Sequence, residues 1–281
     1  MNVPASATIA AHDVEGRVAA AGGDRDAVMM DSLSWAKSFA NVPVSGFAVG
    51  AVALGRSGAL YAGANLELAK LPLSASVHAE QAAVANAWRH GERGLDALAV
   101  NASPCGHCRQ FLNELAGAGD LRILVPGMTP ATLAQLLPAS FGPADLGVAG
   151  RLLEPEDHAL RAGESSDDAA PDALADAALA AANASYAPYT RAYAGVALRL
   201  RDGTILSGRY AECAAYNPSL PALQGALALL VLQHAELTAV VDAVLVEAPA
   251  ATSQRAAAED ALRTIAGVSL RYDRAGPRRS Q

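Results

Sequence analysis

Cysteine is scarce: three residues in 281, too few for a disulfide framework. Aromatic residues make up only 5%, and Lys plus Arg (21) are outnumbered by Asp plus Glu (28), for a net charge of −7. With no Lys/Arg cluster, the chain lacks the electrostatic footprint of a nucleic-acid binder, and no nucleic-acid partner is expected. Hydrophobic residues reach 52%, but no uncharged apolar run attains the roughly 20 residues that cross a bilayer, so no membrane partner is expected. The first thirty residues scatter His12, Asp13, Glu15, Arg17, Asp24, Arg25 and Asp26 among alanines. That leaves no apolar stretch for a signal peptide, and a soluble cytoplasmic protein is the expectation. The length suffices for one large domain or two ordinary ones.

What the sequence does contain is a faint internal repeat. At a constant offset of 145, Pro43 meets Pro188, Gly50 meets Gly195, Arg56 meets Arg201, Gly58 meets Gly203, Gly63 meets Gly208, Glu67 meets Glu212 and Pro104 meets Pro249. Shared glycine and proline spacing predicts two copies of one fold, because turns need glycine's φ freedom whatever surrounds them. Each copy opens with a helical stretch, Asp31 to Phe39 and Pro171 to Asn183. In the first copy strand-like runs follow at Phe47 to Leu54 and Ala59 to Ala64 around an Arg56-Ser57-Gly58 turn. The second copy places Arg201-Asp202-Gly203 at that turn. A helix from Ser76 to Arg89, a strand Ala97 to Ala102, a helix Cys105 to Leu115 and a strand Leu121 to Val125 complete the first copy.

Strands interleaved with helices predict an α/β fold layered around a sheet. Residues 1–28 are expected to be poorly ordered, 29–161 to form one domain, 162–172 an acidic linker, 173–274 the second domain and 275–281 a flexible tail.

Two of the three cysteines, Cys105 and Cys108, stand three apart where a helix is predicted to begin behind Pro104. Residues so spaced share a helix face, and the amides of a helix N-terminus favour the thiolate that binds metal. Such a pair alone is ambiguous, since redox proteins use the same spacing. His78 and Glu80 are two apart and can converge only near a helix entrance, with Ser74 or Ser76 capping the first turn. Two helix openings would then face one another. One His and two thiolates make a Zn2+ site with its fourth position open, and Glu80 becomes a proton carrier beside it rather than a ligand.

The His-x-Glu … Pro-Cys-x-x-Cys order matches the zinc nucleobase deaminases. Beside it stand Ser-Gly-Phe-Ala-Val-Gly-Ala (45–51), Ala-Asn-Leu-Glu (64–67), Val-His-Ala-Glu-Gln (77–81) and Pro-Cys-Gly-His-Cys-Arg-Gln-Phe (104–111). Phe-Gly-Pro-Ala-Asp-Leu (141–146) and Asn-Pro-Ser-Leu-Pro-Ala-Leu-Gln-Gly-Ala (217–226) extend the match. Over roughly residues 30–270 the chain resembles the cytidine deaminase family in its larger, homodimeric, two-domain form. The resemblance implies two copies of a three-layer α-β-α fold with a mixed sheet, the second copy degenerate. It implies one Zn2+ per chain on His78, Cys105 and Cys108, a zinc hydroxide that attacks C4 of cytosine, and Glu80 as proton shuttle. It also implies a nucleoside substrate contacted by Phe47, Asn65, Leu66, Glu67, Ala79 and Ser103, with Asn65 and Glu67 at the ribose 3′-hydroxyl. The second copy is expected to help build the partner's site. Ala102 departs from the family, which often has tyrosine there.

Other readings compete. His107 could supply a fourth ligand to a purely structural zinc. Phe47 and Phe141 each fit a pocket or a core. Arg109 fits either a solvated helix position or a cation tempering the thiolates, and Cys213 reads as a small buried residue. A polynucleotide deaminase is the main functional rival, and a non-catalytic zinc-stabilised binding protein another. At offset 145, His78 meets Leu223, Glu80 meets Gly225, Cys105 meets Ala250 and Cys108 meets Ser253, so the second copy should fold without binding zinc.

Overall fold

A computed structural model describes residues 6–162 and 172–277. The first half runs β1 (Thr8–Ile9), α1 (Ala11–Ala20), α2 (Arg25–Asp31), α3 (Leu33–Lys37), β2 (Gly50–Gly55), β3 (Leu60–Ala64), α4 (Ala79–Arg89), β4 (Leu95–Val100), α5 (Gly106–Leu112), β5 (Arg122–Leu124), β6 (Ala131–Thr132) and α6 (Leu133–Leu136). The second runs β7 (Leu160–Ala162), α7 (Ala173–Asn183), β8 (Ala194–Leu200), β9 (Ile205–Arg209), α8 (Ala222–Val231), β10 (Val240–Glu247), α9 (Arg255–Ala266) and β11 (Leu270–Pro277).

Among the described residues two sheets form, ordered β1-β3-β2-β4-β5-β6 and β7-β11-β10-β8-β9. Both are mixed, with β4–β5 and β10–β11 parallel and the other pairs antiparallel. The repeat turns form as hairpins, with Gly58 at φ 86° and Gly203 at φ 87°.

Strand side chains alternate between faces, and every residue of β2 is buried, so both faces of the first sheet need cover. Ala51, Ala53, Leu98 and Val100 pack with Val84 and Trp88 of α4. Val52, Leu54, Ala97 and Ala99 pack with Val14, Met29 and Trp35 of α1–α3 on the opposite face. The second sheet repeats this, with Val196, Leu198 and Leu245 against α8 and Ala197, Val244 and Val246 against α7. Each half is thus three layers. The inner helices α4, α5, α8 and α9 share one apolar cluster, which joins the halves.

The expectation that residues 1–28 are poorly ordered is corrected. Residues 1–5 lie outside the described residues, but Thr8 and Ile9 pair with β3. Val14, Val28 and Met29 are buried, each apolar side chain so placed contributing about 1.5–3 kcal/mol. Asp24 caps α2 by accepting from the Ala27 amide at 3.0 Å. The helix expected over Asp31–Phe39 is split at Ser32, whose hydroxyl donates to the Val28 carbonyl at 2.8 Å. Of the expected tail, residues 275–277 belong to β11, with Ala275 buried, and 278–281 lie outside the described residues. Of the expected acidic linker 162–172, residues 163–171 also lie outside them, while its ends are part of the fold: Ala162 ends β7 and Asp172 caps α7.

Gly63 and Gly208 permit the closest approach in each half. A Cβ on Gly63 would lie 2.2 Å from both the Ala79 carbonyl and the Ala83 amide nitrogen, and one on Gly208 would meet Ala222 and Ala226 at 2.2 and 2.3 Å. Ala79 therefore corresponds to Ala222, and the offset changes from 145 to 143 between the hairpin and the inner helix. This corrects the sequence alignment: His78 corresponds to Pro221 and Glu80 to Leu223. Gly63→Ala is expected to cost about 1–3 kcal/mol or more, since only backbone could move aside. A lower Tm in thermal unfolding checks this, and an unchanged Tm would contradict the close packing.

Candidate active site

His78 does not lie inside α4. It is the last extended residue before it (φ −83°, ψ 153°), so its ring is freed from the helix periodicity that would aim it away from Glu80. Ser74 and Ser76 do not cap this helix as expected. Gln81 instead reaches back, its side-chain oxygen accepting from the His78 amide at 3.2 Å, and Ser76 lines the cavity in front. Cys105 holds the same position before α5 (φ −71°, ψ 169°), with Cys108 in the first turn. The helix expected to reach Leu115 ends at Leu112.

The two helix openings face each other as anticipated. His78 Nδ1 lies 3.5 Å from Cys105 Sγ and 3.2 Å from Cys108 Sγ, and the two sulfurs are 3.7 Å apart. A tetrahedral ion with Zn–S near 2.3 Å and Zn–N near 2.0 Å sets its ligand atoms about 3.5–3.8 Å apart, so the three residues fit zinc. Their hydrogen bond holds Cys105 down at about 4 and, with burial, drives Cys108 upward. Two thiolates this close repel, and a cation between them is what lets both stay deprotonated. Among the described residues no fourth His, Cys, Asp or Glu joins the group. His107 instead stacks on the His78 ring at 5.0 Å, which removes the four-ligand reading.

Glu80 is buried beside these donors, and burial raises its pKa above the usual carboxylate range. A cavity of about 420 Å³ opens in front of it. Phe47, Asn65, Leu66, Glu67, His78, Ala79, Glu80, Ser103 and Cys105 line it, with Ala102 also on the wall, and Cys108 is fully buried behind. Phe47 is 62% exposed at the cavity, so it is not core. Phe141, 47% exposed, belongs neither to the core nor to this lining. Arg109 is half-buried, and its guanidinium is engaged away from the thiolates: it donates to the Pro104 and Leu136 carbonyls, both at 2.8 Å, and to Ser103 Oγ at 3.4 Å. Cys213 is buried as expected.

Asn65 accepts from the Val49 amide at 2.8 Å and donates to the Phe47 carbonyl at 2.9 Å, which shapes the loop carrying Phe47. Glu67 accepts from the Val44 and Ser45 amides at 2.9 and 3.0 Å and from the Ser45 hydroxyl. Those Ser45 bonds hold its pKa below the usual carboxylate range. The second half repeats this latch, and among the described residues no metal-binding group of His, Cys, Asp or Glu accompanies it: Glu212 accepts from the Tyr189 and Thr190 amides at 2.9 and 3.1 Å and from Thr190 Oγ1 at 2.6 Å. Glu67 therefore has a structural task independent of chemistry, which leaves about one of a carboxylate's four lone-pair sites for a ligand. Ser45 was missed in the sequence, although Ser45 and Thr190 match at offset 145 once hydroxyls count as equal.

The description "Cytidine and deoxycytidylate deaminase zinc-binding region" matches residues 24–122 and again 133–259. The chain is 47% identical over 241 residues to the cytidine deaminase of Serratia proteamaculans (strain 568), covering 86% of this chain and 80% of that one. With the cytidine deaminase of Yersinia pestis (strain Pestoides F) it shares 48% over 234 residues, 83% of this chain and 78% of that one. A solved cytidine deaminase from Mycobacterium tuberculosis covers 41% of this chain and 96% of its own, at 36% identity and a TM-score of 0.38. Two zinc-binding matches in one chain, together with relatives of this identity and coverage, make it a member of the cytidine deaminase family in its two-domain form, with zinc as its cofactor.

Proposed function

We propose that the chain hydrolyses cytidine and deoxycytidine to uridine and deoxyuridine with release of ammonia, serving pyrimidine salvage. One observation carries this reading: a buried carboxyl, Glu80, stands beside a three-donor metal cradle at the wall of a cavity large enough for a nucleoside.

His78, Cys105 and Cys108 would hold the zinc, which supplies Lewis acidity that brings the pKa of a water toward neutrality. Glu80 takes a proton from the attacking water as its oxygen bonds to C4 and gives that proton to N3 of the pyrimidine. It then carries the hydroxyl proton of the tetrahedral C4 adduct to the amino nitrogen, so that the C4–N bond breaks, ammonia leaves and the C4 oxygen becomes the carbonyl of the product. A carboxyl whose pKa is raised by burial suits a group that must both hold and release a proton. The Ala79 amide, in the first turn of α4, has no partner within its helix and is free for the pyrimidine edge. Ser103, on the segment that Arg109 fixes, offers a second backbone contact. Phe47 packs on the base, Leu66 backs the pocket, and Asn65 with the remaining lone pair of Glu67 meets the ribose 3′-hydroxyl. Phe47 and Leu73, 62% and 71% exposed at the cavity, leave apolar surface that a second copy would cover in a homodimer. Among the described residues no helix is long and apolar enough to cross a membrane.

Substrate reach provides the test. A 3′-hydroxyl has a hydrogen to give Glu67, whereas an esterified 3′-oxygen has none and brings a phosphate charge against a carboxylate, at a cost of several kcal/mol. Ultraviolet assays should show turnover of both nucleosides and none of cytosine within a single-stranded oligonucleotide. Free cytosine should react poorly because it forgoes the positioning contacts. Comparable rates on single-stranded DNA and deoxycytidine would overturn this reading in favour of a polynucleotide deaminase.

A further inference from the structure

The bond between Gln81 and His78 is half of a longer connection. Gln81 is only 2% exposed, and its amide is used at both ends. The oxygen accepts from the His78 amide at 3.2 Å, and the nitrogen donates to the Pro218 carbonyl of the second half at 2.9 Å.

Pro218 lies between β9 and α8, on a segment whose shape is set internally. The Cys213 amide donates to Ser219 Oγ at 2.9 Å, the Tyr216 amide to the Cys213 carbonyl at 2.8 Å, and the Ser219 amide to the Tyr216 carbonyl at 2.9 Å. The same segment also touches the other ligand-bearing helix. Cys213 Sγ lies 3.6 Å from the Gln110 carbonyl on α5, and the Ala214 amide donates to Glu114 Oε1 at 2.8 Å just beyond its end. Glu114 is fully buried and also accepts from Tyr186 and Tyr189 at 3.0 and 2.6 Å. A buried carboxyl group with three donors makes a stiff joint, because loosening any one gives up a hydrogen bond that no water replaces in an apolar interior.

One piece of the degenerate half therefore grips α4 and α5 together. These are the helices that open at His78 and at Cys105. Its counterpart in the first half, Leu68 to Val77, lines the substrate cavity through Leu73, Ser76 and Val77. We propose that Gln81 is a positioning residue through which the second half, within the same chain, holds His78 in register with Cys105 and Cys108. Partners that orient metal ligands are worth about 10–100-fold in metal affinity or activity. This inference rests on the zinc site, not on the identity of the substrate.

The test compares full-length, zinc-loaded Gln81→Met and Gln81→Glu with wild type. Met keeps the length and loses both bonds. Glu keeps an acceptor for the His78 amide but sets an oxygen against the Pro218 carbonyl. Three readouts are taken: zinc transfer to a chromophoric chelator, the visible bands of the cobalt(II)-substituted protein, and Tm. Both variants should release zinc about tenfold faster or more and shift the cobalt bands, with kcat for cytidine falling while KM stays within about twofold. Ser219→Ala, which loosens the segment without touching Gln81, should move the same readouts in the same direction by a smaller factor. Wild-type zinc release and cobalt bands in Gln81→Met, with only Tm lowered, would reduce Gln81 to packing and overturn the proposal. Should Gln81→Met fail to fold, unchanged zinc release in Ser219→Ala would overturn it. The metal readouts need no substrate, so a failure of the nucleoside reading leaves them independent.

Discussion

Glu80→Ala should yield a folded protein with its full complement of zinc and a turnover reduced by several orders of magnitude. The zinc is kept because Glu80 is not one of the clustered donors: His78, Cys105 and Cys108 bring their ligand atoms together without it. The fold is kept for two reasons. Position 80 lies in the first turn of α4, where alanine is the best helix former. The carboxyl at position 80 is also buried, and burying a polar group carries a desolvation cost that alanine does not have. The chemistry is lost because a positioned proton carrier contributes about a hundredfold or more to each step it serves, and Glu80 is proposed to serve two, at N3 and at the leaving nitrogen. Glu80→Gln sharpens the comparison by keeping the shape while removing the titratable proton, and it should be nearly as inactive. Zinc content by elemental analysis, Tm and steady-state rates on cytidine make the three measurements. Substantial activity in either variant would mean that protons travel by another route.

What the sequence disclosed, and what it hid, follows from the range of the interactions involved. The hairpin glycines were legible because φ near 86° is a local demand that few residues besides glycine meet. The metal cradle was legible because its chemistry tolerates few residue types. The two-residue shortening before α8 was not, since it adds or removes no motif; it appears only when Gly63 and Gly208 are seen pressed against Ala79 and Ala222. Order in the N-terminal segment was equally hidden. Ile9 and Val14 are buried by packing against a sheet whose strands lie some fifty residues further along, while the charges around them face outward. Gln81 closes the Val-His-Ala-Glu-Gln motif, yet its task depends on Pro218, 137 residues away. Arg109 was ambiguous for the same reason, since its partners include the distant Leu136 carbonyl.

Metal analysis of the purified chain should find one zinc, not two, although two zinc-binding matches lie along it. The second half repeats the architecture of the first site and fills the place of the ion with protein. Pro221 stands where His78 does, and it can neither ligate nor donate a backbone proton. Leu223 stands where Glu80 does. Before α9, Gln254 occupies the position that Cys105 holds before α5. Its Oε1 accepts from the Ala222 amide at 2.9 Å, while its backbone N–H donates to Glu247 at 2.6 Å. The two helix openings that would face a cation are thus tied directly to each other by an amide side chain. In the first half the opposite holds: three donors within 4.8 Å of one another need a cation to relieve them, and dropping one leaves two ligands where catalytic zinc takes three. Cys105→Ala and His78→Ala should therefore lose zinc and activity together, falling to the background rate. Gln254→Ala should change neither zinc content nor the cobalt spectrum. Two zinc ions per wild-type chain, or a Cys105→Ala protein that still holds one, would contradict this assignment of the ligands.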